Sequence, residues 1–280
     1  MAVAISDIKQ LREMTGAGMG DCKKALEASN GDMEGAIDFL RKLGQKLSVK
    51  RADREAKEGV VIALNSHNRN KGIVIKLSCE TDFVAKTDRF IDLAQSFAEI
   101  ALKKTPATLA DLLNLAYDNE LTIGQKIQEQ TGVMGEKVDL SNYESIVTEA
   151  GQGQVIPYIH AGYRAGVLVA VNLEGQDLME AGKNVAMQVA AMKPVAVDKE
   201  GVPTEMIARE IEIGKEQARA EGKPETMVDK IAMGKLNRFY KDNTLLNQEY
   251  VKDKTFTVAT YLQSVKKGLT VTAFKHIALG

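Results

Sequence analysis

Ser78-Cys79-Glu80-Thr81-Asp82-Phe83-Val84-Ala85-Lys86 is the stretch on which the reading of this chain turns. It is preceded by Gly72-Ile73-Val74-Ile75-Lys76-Leu77, a β-branched run that fits a half-buried strand. It is followed by Phe90, Leu93, Ala94, Phe97, Ala98 and Ala101, which recur at helical spacing, with Thr87 placed to cap the helix they define. A strand therefore ends, the chain turns a corner, and a helix begins, with an acidic residue and an aromatic one at the corner. Two rigid elements meeting in this way can hold a side chain out to a partner. The plainer arrangement, which pattern alone favours, puts Phe83 in the core and makes Asp82 a helix cap.

Working outward, a hairpin is predicted from Gly59–Leu64 and Gly72–Leu77, joined by the polar loop 65–71. Shorter helical patterns run over Thr108–Leu115 and Leu121–Gln130, and strand character returns at Glu136–Thr148 and Gln154–His160. Gly166–Glu174 then repeats Gly72–Glu80 in its length, leading glycine and closing glutamate, and it too precedes a helical pattern, carried by Val185, Val189 and Met192. Two similar α+β halves with antiparallel sheets account for the repeat. The second copy lacks the Asp-Phe pair, having Asp177-Leu178 nearby, so the special role is expected at the first corner alone.

Before these halves, the sequence reads as three short helices. Ser6 is placed to cap the first, which turns Ile8 and Leu11 inward; Thr15-Gly16-Ala17-Gly18 makes a turn; Cys22, Ala25 and Leu26 form the second face. Asn30-Gly31-Asp32 is turn and cap together, and Met33, Ala36, Ile37 and Leu40 give the third face. The charged run Lys46–Lys57 has no periodic apolar face and reads as a linker helix, which places boundaries at 1–56 for the N-terminal unit and linker, 57–148 for the first half and 149–280 for the second. Within the second half, residues 204–240 turn to charged, helix-favouring residues broken once by Glu221-Gly222-Lys223-Pro224, the glycine-then-proline order found between two helices. An antiparallel projecting arm is expected there. The chain closes with a strand at Thr255–Val258, a helix at Ala259–Val265 and a last strand at Thr270–Ile277.

The whole chain of 280 residues, 44% hydrophobic, is long enough for two or three cored domains. With 37 basic and 38 acidic side chains its formal charge is -1, which provides no field to attract a phosphate backbone, so nucleic acid is disfavoured as the main partner. No leader pattern and no apolar run of membrane-spanning length is present, and a cytoplasmic location is expected. Cys22 and Cys79 have no metal spacing and read as small buried hydrophobes. Thr15–Gly20 follows a helix and lacks the third glycine of a dinucleotide loop, and Gly175–Lys183 has the wrong glycine spacing for a P-loop and Asn184 where Ser or Thr belongs. No nucleotide, metal or cofactor site is expected. His160 ends a strand with no nucleophile or ligand spaced to join it, and a lone histidine of this kind is more often structural.

Taken together, Leu11–Met19, Asp21–Leu26 and Thr81–Lys86 resemble the translation elongation factor Ts family, and the resemblance extends through Tyr158-Ile159-His160, Arg164–Val169, Ala186–Pro194 and the Gly222-Lys223-Pro224 arm. It implies an N-terminal module like a ubiquitin-associated domain, a core of two related α+β subdomains and a coiled-coil hairpin. It further implies guanine-nucleotide exchange on the GTPase elongation factor Tu, with Thr81, Asp82, Phe83 and Val84 disturbing the partner's magnesium and phosphate site, Arg12 and Met19 docking on the partner, and His160 lying near its GTPase helices. A family member with a helical module after its last strand would add a contact that this sequence does not carry up to Gly280, so affinity is expected to rest on the N-terminal module and the core. The rival expectations are an interaction module that binds through its three helices without exchange, and, more weakly, an enzyme built on His160.

Overall fold

The structure is a computed structural model that describes residues 3–280. Three helices come first, α1 (Ile5–Thr15), α2 (Met19–Ala28) and α3 (Met33–Lys50). Ile8, Leu11, Cys22, Ala25, Leu26 and Ala36 form their shared core, closed by half-buried Met19, Met33, Ile37 and Leu40. Asp32 caps α3 by accepting from the Gly35 N–H at 2.9 Å, as expected. Ser6 does not cap α1: it lies one residue inside a helix that starts at Ile5, and its hydroxyl donates to Asp7 instead. Nor is there a separate linker helix, because nothing breaks α3 before Lys50 and its second glycine, Gly44, lies against a helix of the core.

The first half follows: β1 (Glu58–Asn65), β2 (Lys71–Cys79), α4 (Asp82–Ala85), α5 (Asp88–Lys104), α6 (Leu109–Asn114), α7 (Ile123–Met134) and β3 (Val138–Val147). The second contains β4 (Gln154–Ile159), β5 (Ala165–Val171), α8 (Met179–Met192), α9 (Thr204–Ala220), α10 (Glu225–Asn243), α11 (Val258–Val265) and β6 (Val271–Ala278). Each half holds a three-stranded antiparallel sheet, ordered β1-β2-β3 and β4-β5-β6, so the two sequence segments that resemble each other are the two central strands. The fold is α+β.

Strand alternation distributes these residues over two faces. Val60, Ile62, Ile73, Ile75 and Leu77 pack outward under α5, whereas Val61, Ala63 and Val74 face inward onto Val155, Leu168 and Ala170 of the second sheet. Val185 and Val189 of α8 with Leu262 of α11 cover the far face of that second sheet, making four layers in the order helix, sheet, sheet, helix. The leading glycines of the repeat sit where the sheets approach most closely. A Cβ on Gly72 would lie 2.5 Å from Val155 Cγ1, and one on Gly166 would lie 2.7 Å from Val61 Cγ1.

Thr255–Val258 is not a strand. Thr257 makes a single antiparallel bridge, to Glu249, that does not extend into a ladder, and it caps α11 in a reciprocal box with Thr260. Helices α9 and α10 pair antiparallel: Gly214 faces Ala232, Lys215 meets Asp229 at 3.3 Å and Arg219 meets Glu225 at 2.7 Å. The turn between them uses Gly222 at φ 71, a left-handed conformation, followed by Pro224 at the start of α10.

The N-terminal helices are seated on the first half by α3 crossing α7, where a Cβ on Gly132 would come within 2.6 Å of Gly44 Cα. Arg41 pairs with Glu120 across the same seam, and Arg89 of α5 donates to the Thr15 and Gly16 carbonyls, both at 3.0 Å. No helix among the described residues is long and apolar enough to cross a membrane.

Candidate partner-binding site

The corner after β2 is built from short-range hydrogen bonds. Thr81 is extended (φ -124, ψ 152) and its hydroxyl oxygen accepts from the Val84 N–H, so Thr81, not Asp82, caps the single turn α4. At the other end the Thr87 hydroxyl donates to the Val84 carbonyl at 2.8 Å and caps α5 by accepting from the Phe90 N–H. Ala85 is buried and half-buried Val84 packs on the first core, which anchors one side of the turn. Phe83 falls on the opposite side and is 82% exposed. The core reading of Phe83 is thereby overturned: with Val84 and Ala85 facing the sheet, helical geometry points residue 83 at solvent.

Asp82 is half-buried. Its carboxylate accepts from Lys86 one turn on, at 2.5 Å, and that hydrogen bond holds it below the usual carboxylate range. Beneath the turn, Cys79 Sγ donates to the Thr81 carbonyl at 3.1 Å, and burial pushes this thiol up to about 12, so it stays protonated.

Two glutamates that motif reading did not single out complete the corner. Glu136 accepts from the Thr81 N–H at 3.0 Å and from the Thr81 hydroxyl at 2.7 Å. Glu80 accepts from the Lys137 N–H at 2.7 Å and from Arg51, at the end of the N-terminal helices, at 2.6 Å. The Lys137 N–H bond is the chief reason that Glu80 is held below its ordinary value. The helix-stop signal of Gly135 marks Glu136 as lying past the end of α7, in the connection to β3, but nothing in the sequence ties it to Thr81.

A cleft of about 270 Å³ opens beside α4, lined by Asp82, Ala85 and Lys86 on one side and by Gly162, Tyr163 and Arg164 on the other. That second wall is the turn entered from His160. His160 is exposed, with Nδ1 3.0 Å from the Tyr158 hydroxyl. Gly162 (φ 73) and Tyr163 (φ 58) are both left-handed, an uncommon conformation for an aromatic residue, and it lets Tyr163 pack on the first core. The structure thus brings the Thr81–Val84 corner and the turn after His160 to one cleft, although they come from different halves. Arg12 and Met19 stay on the N-terminal helices, Arg12 exposed and Met19 half-buried, on either side of the Thr15-Gly16 turn that Arg89 grips.

Residues 80–280 match a family model described as elongation factor TS. The chain is 49% identical over 281 residues to elongation factor Ts of Amoebophilus asiaticus, covering 100% of both chains. It is 50% identical over 278 residues to elongation factor Ts of Cytophaga hutchinsonii and 41% identical over 287 residues to that of Chlorobaculum tepidum, each time across 99% of both chains. The chain belongs to the elongation factor Ts family. As a member of the elongation factor Ts family it is a translation elongation factor, with its place in protein biosynthesis. The matched span opens at Glu80, so the whole corner from Glu80 to Lys86 lies within the part by which the elongation factor Ts family is recognised.

Proposed function

We propose that this protein is a cytoplasmic guanine-nucleotide exchange factor that binds the GTPase elongation factor Tu and releases its GDP, and that it performs no chemistry of its own. On this reading Thr81, Asp82, Phe83 and Val84 form a wedge that enters the partner and disturbs its magnesium and phosphate site. Arg12 and Met19 dock a ubiquitin-associated-like unit spanning 1–56, and His160 touches the partner from beside the cleft. Residues 57–148 and 149–280 act as two subdomains of one platform, with the α9–α10 pair as a coiled-coil arm. The protein itself takes no nucleotide, nucleic acid, membrane or cofactor.

The observation that carries this reading is Phe83, a benzyl group held 82% in water on a turn fixed at both ends. Leaving such a side chain unburied forgoes about 1.5–3 kcal/mol, and a partner pocket recovers it. A nucleotide bound at nanomolar affinity is held by about 12 kcal/mol, and a factor releases it only by binding the empty GTPase more tightly than the loaded one. A buried aromatic anchor contributes about 2 kcal/mol or more of that difference. The Asp82 carboxylate, kept ionised by Lys86, competes for the partner's polar groups, and a shift in the switch region weakens magnesium coordination. By reciprocity, incoming nucleotide expels the factor.

The test is release of labelled GDP from elongation factor Tu with this protein in substoichiometric amount. Turnover is expected, and Phe83→Ala or Asp82→Ala is expected to slow it while the protein stays folded. Stoichiometric binding without release would favour an interaction module instead.

A further inference from the structure

Backbone pairing between β2 and β3 ends at Cys79 opposite Val138. Beyond it the strands continue to face each other for two more residues, and there side chains replace the backbone. Glu80 takes the Lys137 N–H at 2.7 Å, and Glu136 takes the Thr81 N–H at 3.0 Å, each glutamate reaching the backbone of the residue next to the other. Two carboxylates thus prolong the sheet past its last rung. Glu136 makes a second bond, to the Thr81 hydroxyl at 2.7 Å, so both of its oxygens hold one residue.

That residue is the one on which the pose of the turn depends. Helix α4 has four residues, too few to be stable unaided, and Phe83 has no hold of its own on the protein. The C-terminal end of the turn is anchored by buried Ala85 and by the Thr87 hydroxyl. At its N-terminal end the side-chain hold on Thr81 comes from Glu136, supplemented by the weaker Cys79 thiol. We propose that Glu136 is the positioning residue of the site: through Thr81 it keeps Phe83 facing outward in the pose that the partner receives. The inference rests on the exchange reading for its consequence, and on geometry alone for the pose.

Hydrogen bonds to a charged group are worth enough that losing them changes an equilibrium about tenfold or more. In full-length protein, Glu136→Ala is expected to lower kcat/KM for GDP release about tenfold, and Glu136→Gln to fall between, because one amide oxygen can still accept from the Thr81 N–H. In a Phe83→Ala background the same Glu136→Ala change is expected to cost less than about twofold more, since a wedge without its ring gains nothing from being aimed. Without any partner, amide hydrogen exchange of residues 80–86 should quicken about tenfold in Glu136→Ala while both sheets keep their protection. Undiminished release by Glu136→Ala, full multiplication of its loss with that of Phe83→Ala, or unprotected sheets would overturn the proposal. Should the wild-type protein release no GDP, the exchange reading fails by itself, and the amide arm still decides the pose: local quickening upholds Glu136 as the clamp, and unchanged exchange removes it. If the alanine variant does not fold, Glu136→Gln with and without Phe83→Ala carries the same comparison.

Discussion

The two halves of the molecule turn the same corner in opposite senses. In each, a central strand with a glycine at its second position is followed by a glutamate, Glu80 or Glu174, and a short turn leads to the helix that covers the sheet. In the first half the turn puts Val84 and Ala85 inward and leaves Phe83 82% exposed; in the second Leu178 is 1% exposed, in one core with Val185 and Leu262. Each corner is also clamped by a side chain from a neighbouring element. Glu136 accepts twice from Thr81, whereas buried Gln154 accepts from the Gly175 N–H at 3.1 Å and donates to the Gly175 carbonyl at 2.9 Å. A charged clamp suits a half-exposed corner, and a neutral one suits a corner folded inward. Asp177 likewise ties its turn to Lys266 at the end of α11, at 3.5 Å, while Asp82 pairs only within its own turn. A second use of the same plan therefore shows what the corner looks like when its task is packing, and the first shows what changes when its ring is turned out to solvent.

That contrast can be broken in measurable ways. Leu178→Ala should lose about 2–5 kcal/mol of stability through the cavity it leaves, read as a fall in denaturation midpoint; a loss near zero would mean that the two corners are alike after all. Gln154→Ala should cost about 1–3 kcal/mol, because it removes two hydrogen bonds to the half-buried Gly175 backbone, each worth about 0.5–1.5 kcal/mol. Acidification sharpens the comparison further. Glu80 is held below its ordinary value, so what it adds to stability is present above the usual glutamate pKa and is lost as pH falls through the lowered one. Glu80→Gln should consequently flatten part of the acid limb of a stability profile, with little difference between the two proteins under still more acidic conditions. The smallest stability effect belongs to Phe83→Ala, within about 0.5 kcal/mol of wild type by denaturant titration, since a ring in water supports nothing in the fold.

Much of this was legible in the sequence because periodicity reports burial. The β-branched runs gave the first hairpin and the strand segments of the second half, and the matching Gly72 and Gly166 segments marked the two central strands that lie across from each other. Asp82 and Phe83 could be noticed at a corner, but the exposure of Phe83 could not be read there, since it follows from Val84 and Ala85 claiming the inward side. Threonine and serine misled for a definite reason. A β-branched hydroxyl residue suits a strand and a helix cap equally, so Thr257 read as strand, and at Ser6 a shift of two residues separated a cap from an ordinary helical position. The clamp on Thr81 left no trace because its two ends are 55 residues apart, and the grip of Arg89 on Thr15 spans 74. Such pairings are products of topology, and spacing along a chain does not encode them.

The crossing of α3 and α7 has a consequence for reach. Two glycines meet there with no side chains between them, so the tilt of the leading helices over the platform is set by atoms that are missing. A methyl group added at residue 44 would act as a spacer at a pivot, swinging Arg12 and Met19 outward together while leaving the packing among their own helices intact. How far the leading helices stand from the platform is thus governed at a seam where two bare backbones meet.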